Sequence, residues 1–432
     1  MRPKMTITAA GDFMHYRMLP ERYEGFEEVK AFIERGDVRF FNLETVFPDA
    51  SCFANQFYGG GYVFTSERSL DDARAFGFNI LSFANNHTFD FSYNGLLRTL
   101  DAVNAAGFPN AGVGRNLDEA AAPAFLQTPT GSLGLIGTVS TMENEAAMAG
   151  RQSRRVLGRP GVNGLRFDGK VIVPEEQFAA LREIDEKTSV NASVNMLRKE
   201  GFLPPRPEGL LQIGSTLFEK GDELRYETHP NRADMQRIID NIESARTQSD
   251  YVVVSIHSHE DGAADKAVPA QFLIEFAHRC IDAGASVVFG HGPHVLRPLE
   301  IYKGRPIFYS LGNFLFQDLA GYQPEDMYEK YGLTSDTSIA ELYDVSTGGN
   351  TIGLISSRRT LEAAIPYIEI EDGAVTKIEL FPISLGYGME AWQVGLPRPG
   401  FGQGILERLQ AMSAPYGTDI VIREDGIGEV KL

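Results

Sequence analysis

The chain has 432 residues, 43% hydrophobic and 23% charged, a balance that fits a globular protein of roughly two or three domains, or one decorated α/β domain, with a large buried core. A formal net charge of −18 disfavours nucleic acid and anionic membrane as partners. Two cysteines, Cys52 and Cys280, with no C-x-x-C spacing, exclude a disulfide framework and a thiolate zinc site.

The N-terminal Met-Arg-Pro-Lys leads directly into an alternating strand without a signal-peptide core. No apolar run approaches the roughly 18 residues of a membrane span, so a cytoplasmic chain without a membrane anchor is expected. Residues 4–10 read as a buried strand that ends at Gly11-Asp12. Phe26, Val29, Phe32 and Ile33 have helical spacing over 24–35, and residues 38–43 (VRFFNL) form the next strand, ending at Glu44. A helix over 67–76 leads to a strand at 79–84 that ends at Asn85-Asn86-His87, and Tyr93, Leu96, Leu97, Leu100 and Val103 mark another helix. Strands at 133–139, 251–256 and 285–289 follow, the last two delivering His257 and His291. After 350 the pattern predicts strands at 351–356, 364–371 and 374–381, a helix near 402–412 and a strand at 419–423. This alternation predicts an α/β fold. Residues 141–250 interrupt it with Pro-rich stretches and helices near 175–187, 190–200 and 234–247, and are expected to form an insertion that caps the core built from 1–140 and 251–432.

Asp12, Glu44, Asn86-His87, His257 and His291 each lie just past a predicted strand end, and the strand ends along one edge of an α/β sheet converge where ligands bind. Gly290-His291-Gly292-Pro293-His294 adds two imidazoles three residues apart on a turn shaped by Gly and Pro. The expected metal ligands are therefore Asp12, Glu44, Asn86, His257, His291 and His294. Their mixed oxygen and nitrogen donors suit Ca, Mn, Fe or Zn. His87 follows the amide ligand Asn86, and Asp90 is placed to hold the far ring nitrogen, so His87 is read as an acid/base. His259, two residues beyond His257, is a candidate pocket residue. Arg151, Arg154, Arg155, Arg159 and Arg166 form a basic cluster in an acidic chain, and are expected to clamp a substrate carboxylate or phosphate from the cap.

From about Thr6 to about Phe316 the chain resembles the CapA family, the poly-γ-glutamate capsule-synthesis proteins of the calcineurin-like metallophosphoesterase superfamily. The resemblance is carried by Gly11-Asp12, Asn42-Leu43-Glu44-Thr45, Ala84-Asn85-Asn86-His87 with Asp90, Gly112-Val113-Gly114 with Ala120, His257, Gly290 to His294, and Tyr309-Ser310-Leu311-Gly312-Asn313-Phe314. It implies a layered calcineurin-like α/β fold with a helical insertion as cap. The chain departs from the superfamily at the first strand, where Asp12-Phe13-Met14 lacks the usual Asp-x-His and His15 stands one residue too late. One well-occupied metal is therefore expected rather than two. Because CapA-like proteins include peptide epimerases, the resemblance implies epimerisation at the α-carbon of a peptide or amide-linked amino acid, with His87/Asp90 and His294/Asp12 as acid/base pairs. The alternatives are hydrolysis of a phosphoester, with His87 as general acid, and an accessory role in capsule polymer synthesis.

Overall fold

The computed structural model describes residues 3–21, 23–317, 321–390 and 392–432. Strands Met5–Met14, Val38–Leu43, Ile80–Ser82 and Asn110–Ala111 run parallel in that order across one half of a sheet. The other half is antiparallel: Glu362–Glu371 pairs with Met5–Met14, and Ala374–Ser384, Gly428–Val430 and Ile420–Ile422 follow outward. A second sheet has Tyr251–His257 at its centre, parallel to Gly131–Val139 on one side and Val287–His291 on the other. Arg305–Phe308, Leu299–Tyr302 and Ala124–Thr128 complete it.

The two sheets stack face to face. Ile7, Phe40, Leu135, Val253 and Phe289 share the core between them, and the Phe40 and Phe289 rings stack at 5.6 Å. Helices Phe26–Ile33, Ser69–Ala75 and Ser92–Ala105 cover the outer face of the first sheet, burying Val29, Leu70 and Leu96. Helices Arg232–Arg246 and Gln271–Ala283 cover the second, burying Ile238, Phe272 and Phe276. Central strands buried on both faces must be apolar along their whole length, which is why VRFFNL and YVVVSI are nearly continuous apolar runs. This layering is the calcineurin-like α/β fold. Among the described residues, no helix is long and apolar enough to cross a membrane.

Two expectations change in detail. Helices form at Glu175–Lys187, Ala192–Lys199 and Arg232–Arg246, but residues 141–250 also build a four-stranded sheet from Leu210–Ile213, Thr216–Lys220, Phe167–Val173 and Arg225–Pro230. It packs on the outside of helix Gln271–Ala283: Phe272 N donates to Thr228 Oγ1 at 3.1 Å, and the Phe167 and Phe272 rings stack at 4.3 Å. Residues 351–356 are not a strand. Helix Ile339–Thr347 ends there on left-handed Gly348, Gly353 also has a positive φ of 83°, and Leu354–Ser356 is a single 3-10 turn.

Candidate metal centre and the cavity beside it

The parallel strand ends of both sheets meet at one place. Register pairs His257 with His291 in the second sheet and Asp12 with Asn42 and Asn313 in the first. Gly11 makes this possible. A Cβ on it would lie 1.8 Å from the Gly312 carbonyl oxygen, and that carbonyl accepts the Asp12 N–H at 3.1 Å. Asp12 is fully buried; Asn42 Nδ2 donates to its Oδ1 at 2.9 Å and Gly292 N to its Oδ2 at 3.1 Å. Burial pushes its carboxyl up to about 6, against the pull of those two donors. Glu44 is driven up further by burial and by the neighbouring Asp12.

The Asn86–Phe89 turn is tied to the strand before Glu44 because Asn85 Nδ2 donates to Leu43 O at 2.7 Å while Asn85 Oδ1 accepts from His87 N at 3.1 Å. His291 and His294 are both pushed down to about 3 by burial, so both rings are neutral and able to coordinate. His257 is also driven down by burial and by the rings around it.

Both oxygens of Glu44, both ring nitrogens of His291 and Oδ1 of Asn86 are buried without a hydrogen-bond partner. Unpaired buried donors and acceptors are costly, and a divalent cation bound among them would resolve that cost. The residues present therefore fit one. Two donor groups have all their ligand atoms within 4.8 Å of one another: Asp12, Glu44 and His294, and Glu44, His257 and His259. They share Glu44. His291 Nδ1 lies 3.8 Å from Asp12 Oδ1, beside the first group.

His259, read from sequence as a substrate contact, thus stands among the metal donors, with Nε2 3.0 Å from His257 Nε2. His15 lies outside them, its Nε2 bonded to Asp72 at 2.7 Å and its ring stacked on Phe13. His87 is in neither group. Its Nδ1 meets Asp90 Oδ2 at 2.8 Å, and Asp90 also accepts Val63 N at 2.8 Å. The expected His294/Asp12 pair differs: His294 Nδ1 bonds Asn313 Oδ1 at 2.9 Å and stays 3.6 Å from Asp12 Oδ2.

A cavity of about 300 Å³ opens beside the donors, and His87 and His294 both line it. Its other walls come from residues 14–16, 59–63, Phe316 and 323–354; among the described residues none comes from 141–250. The arginine cluster does not line it either. Arg151, Arg154 and Arg155 are exposed, Arg159 Nε donates to Met148 O at 3.0 Å, and Arg166 grips Asp234 through Nε at 2.8 Å and Nη2 at 3.1 Å. The segment that carries Arg151, Arg154, Arg155 and Arg159 is fastened beside residues 113–117 instead, by pairing of Val162 with Val113 and by Leu117 N donating to Gly150 O at 3.0 Å.

Three positioning residues had no signal in spacing alone. Asn42 bridges Asp12 and His257 Nδ1, the latter at 3.2 Å. Asn313 orients His294. Buried Arg297 ties down the His259 loop by donating to Ser258 O at 3.2 Å, Glu260 O at 3.0 Å and Asp261 Oδ1 at 2.7 Å. Asn42 and Asn313 do stand inside the Asn42 to Thr45 and Tyr309 to Phe314 stretches that carry the family resemblance, and the Asn-x-Glu alternation puts Asn42 on the same strand face as Glu44.

The chain is 32% identical to an uncharacterized protein, y4sH, of Sinorhizobium fredii, over 99% of this chain and 93% of that one. It is 24% identical to the capsule biosynthesis protein CapA of Bacillus anthracis, over 72% of this chain and 60% of that protein. It is 26% identical to the PGA biosynthesis protein CapA of Bacillus subtilis, over 58% of this chain and 46% of that protein. Residues 6–318, which hold every donor of the candidate centre, match the family described as bacterial capsule synthesis protein PGA_cap, and the chain belongs to that family.

Proposed function

We propose that this protein is a metal-dependent enzyme that epimerises the α-carbon of an amide-linked amino acid, with His87 and His294 as its two proton carriers. The observation that carries the reading is that both imidazoles line one cavity with Nδ1 fixed, His87 on Asp90 and His294 on Asn313. Fixing Nδ1 leaves each Nε2 for the substrate. Neutral His294 removes the α-proton from one face while His87 delivers a proton to the opposite face, and the reverse reaction returns both protons, so protons balance over a turnover. A divalent cation held by Asp12, Glu44, Asn86, His257, His259 and His291 would supply Lewis acidity for the substrate carbonyl. Among the described residues no Lys or Arg lines the cavity to receive a phosphoester anion, which favours the peptide reading.

Hydrolysis remains a specific second reading because His294 also stands in a donor group with Asp12 and Glu44. With His294 ligating, His87 alone carries protons, and one acid suffices for hydrolysis but not for two-faced exchange. Some relatives are named for polyglutamine or capsule synthesis, and an accessory role in polymer synthesis is a reading about as well supported as the enzymatic one. Incubating the metal-loaded protein with capped peptides in D₂O separates them. Deuterium at one α-carbon, with both epimers appearing, supports epimerisation. Cleavage without α-exchange supports hydrolysis, and neither reaction on any peptide or phosphoester refutes the enzymatic reading.

A further inference from the structure

His87, His294, Gln323 and Ser346 give the cavity beside the donors polar wall, and the larger part of its lining is apolar. Tyr16, Tyr62, Met327, Ile339, Leu342 and Leu354 supply most of the remaining wall. Among the described residues no lysine or arginine lines it; Lys330 Nζ, beside it, donates to the carbonyl of the wall residue Gly60 at 3.0 Å. An anionic side chain laid against the Met327, Ile339, Leu342 and Leu354 wall would lose hydration that those apolar side chains cannot replace. An uncharged apolar group would instead exchange water for apolar wall. The volume, about 300 Å³, is at the lower end of ligand pockets, room for one side chain and its backbone rather than a polymer coil.

The wall at Gly59-Gly60-Gly61 is held open by missing side chains. A Cβ on Gly59 would come within 2.3 Å of Asn86 Nδ2, so Gly59 is required for the turn to approach the donors. Gly61 is different. Its φ is not in the left-handed range, and a Cβ there would meet nothing closer than Met327 Cε at 3.8 Å. A side chain at 61 would therefore grow into the cavity without straining the fold.

Building on the epimerase reading, we propose that this cavity is a specificity pocket for an uncharged aromatic or branched aliphatic side chain on the residue being acted on. Poly-γ-glutamate, which is acidic at every residue, is then not this chain's substrate. Glycine at 61 sets the size of the group admitted. Most of the pocket comes from the 59–63 loop and from residues 323–354, whereas Asp12, Glu44, His257 and His291 lie at strand ends, so side-chain selection is separable from binding of the cation by those residues.

Calorimetric titration of the metal-loaded protein with acetyl-Gly-X-Gly amides, X being Phe, Leu or Glu, and with a γ-glutamate pentamer tests this. The Phe and Leu peptides should bind at least about tenfold more tightly than the Glu peptide or the pentamer. Gly61→Leu should weaken the Phe peptide by about tenfold or more with metal content and melting temperature unchanged. Ile339→Lys, at a half-buried wall position, should raise the relative affinity of the Glu peptide. Equal or tighter binding of the pentamer, or an unchanged Phe affinity in Gly61→Leu, overturns the pocket. The two ideas fail differently: selective Phe binding without α-proton exchange leaves the pocket standing and removes the epimerase, whereas exchange on γ-glutamate that is indifferent to Gly61→Leu does the reverse.

Discussion

Replacing His87 should abolish turnover and leave the metal in place. The ring is buried, belongs to neither donor group, and its Nε2 comes no nearer to a carboxylate than 3.9 Å, at Glu44 Oε1. Removing a positioned proton carrier costs on the order of 10²–10⁴ in rate. At about 1.36 kcal/mol per decade this is roughly 2.7–5.4 kcal/mol of barrier. Asp90 gives an independent handle on the same group. Its Oδ2 accepts both His87 Nδ1 and Val63 N at 2.8 Å. In Asp90→Asn the amide oxygen can still accept both, so the ring keeps its orientation and loses only its charged partner, for an expected loss of about 10–100-fold. Burial already raises the Asp90 carboxyl, so removing its charge should leave the melting temperature nearly unchanged. Asp90→Ala strands two buried N–H groups instead, at about 1–3 kcal/mol of stability each. Metal content by elemental mass spectrometry, α-proton exchange in D₂O and thermal unfolding on the four proteins separate these effects. Metal loss in His87→Ala as complete as in His291→Ala would make His87 a ligand and defeat the reasoning; so would full activity in His87→Ala.

Three further outcomes are expected. Asp12 titrates at about 6 in the metal-free fold because it is buried, so between its unfolded value, about 3.8, and 6 the folded state holds a proton that the unfolded chain has released. This contribution to metal-free stability is therefore lost as pH rises through that window, while a cation must displace the proton; the rise in melting temperature on adding Mn²⁺ should grow from pH 5 to 7.5, and a flat profile contradicts the ligand assignment. His259→Ala removes one donor of the cation that Asp12, Glu44, Asn86, His257 and His291 would also hold, so the affinity should fall while one cation per chain still binds at saturation, as equilibrium dialysis would show. Gly11→Ala sets a Cβ 1.8 Å from the Gly312 carbonyl and should fail to give a soluble, cooperatively melting protein, whereas Gly61→Ala should behave as wild type.

Much of the fold was legible because its inner strands are buried on both faces. Tyr251–His257 and Val38–Leu43 are apolar along almost all their length, and only a strand between two packed layers requires that. The sheet made by Leu210–Ile213, Thr216–Lys220, Phe167–Val173 and Arg225–Pro230 was not legible. Its strands are short and mostly half-exposed; the Gly214-Ser215 turn joins Leu210–Ile213 to Thr216–Lys220 locally, but pairing between Thr216–Lys220 and Phe167–Val173 spans the two intervening helices, so nothing local announces the sheet as a whole. The same limit applied at 351–356, where apolar Ile352, Leu354 and Ile355 suggested a strand. Leu354 instead lines the cavity beside the donors and Ile355 a neighbouring one, on a segment punctuated by glycines.

The site divides along the same line. Residues that end a buried strand could be placed from sequence because the strand fixes where its end emerges: His257 and His291 are register partners, and Asp12 faces Asn42 across the neighbouring pair. Residues on loops could not be placed, since a loop's path depends on what holds it. His259 enters a donor group because Arg297, buried 38 residues downstream, grips the carbonyls around it, and His294 reaches inward through a left-handed φ of 58° fixed after Gly292-Pro293. Neither constraint leaves a periodic trace. The division has a functional consequence. Cation affinity depends on sheet register and on the loops that Arg297 and Asn313 hold in place, whereas what enters the cavity depends largely on the 59–63 loop and the 323–354 segment, which can change without disturbing either. Substitutions on those walls should therefore redirect side-chain preference while leaving metal content constant, and substitutions at Asn42 or Asn313 should lower metal content or turnover for every substrate alike.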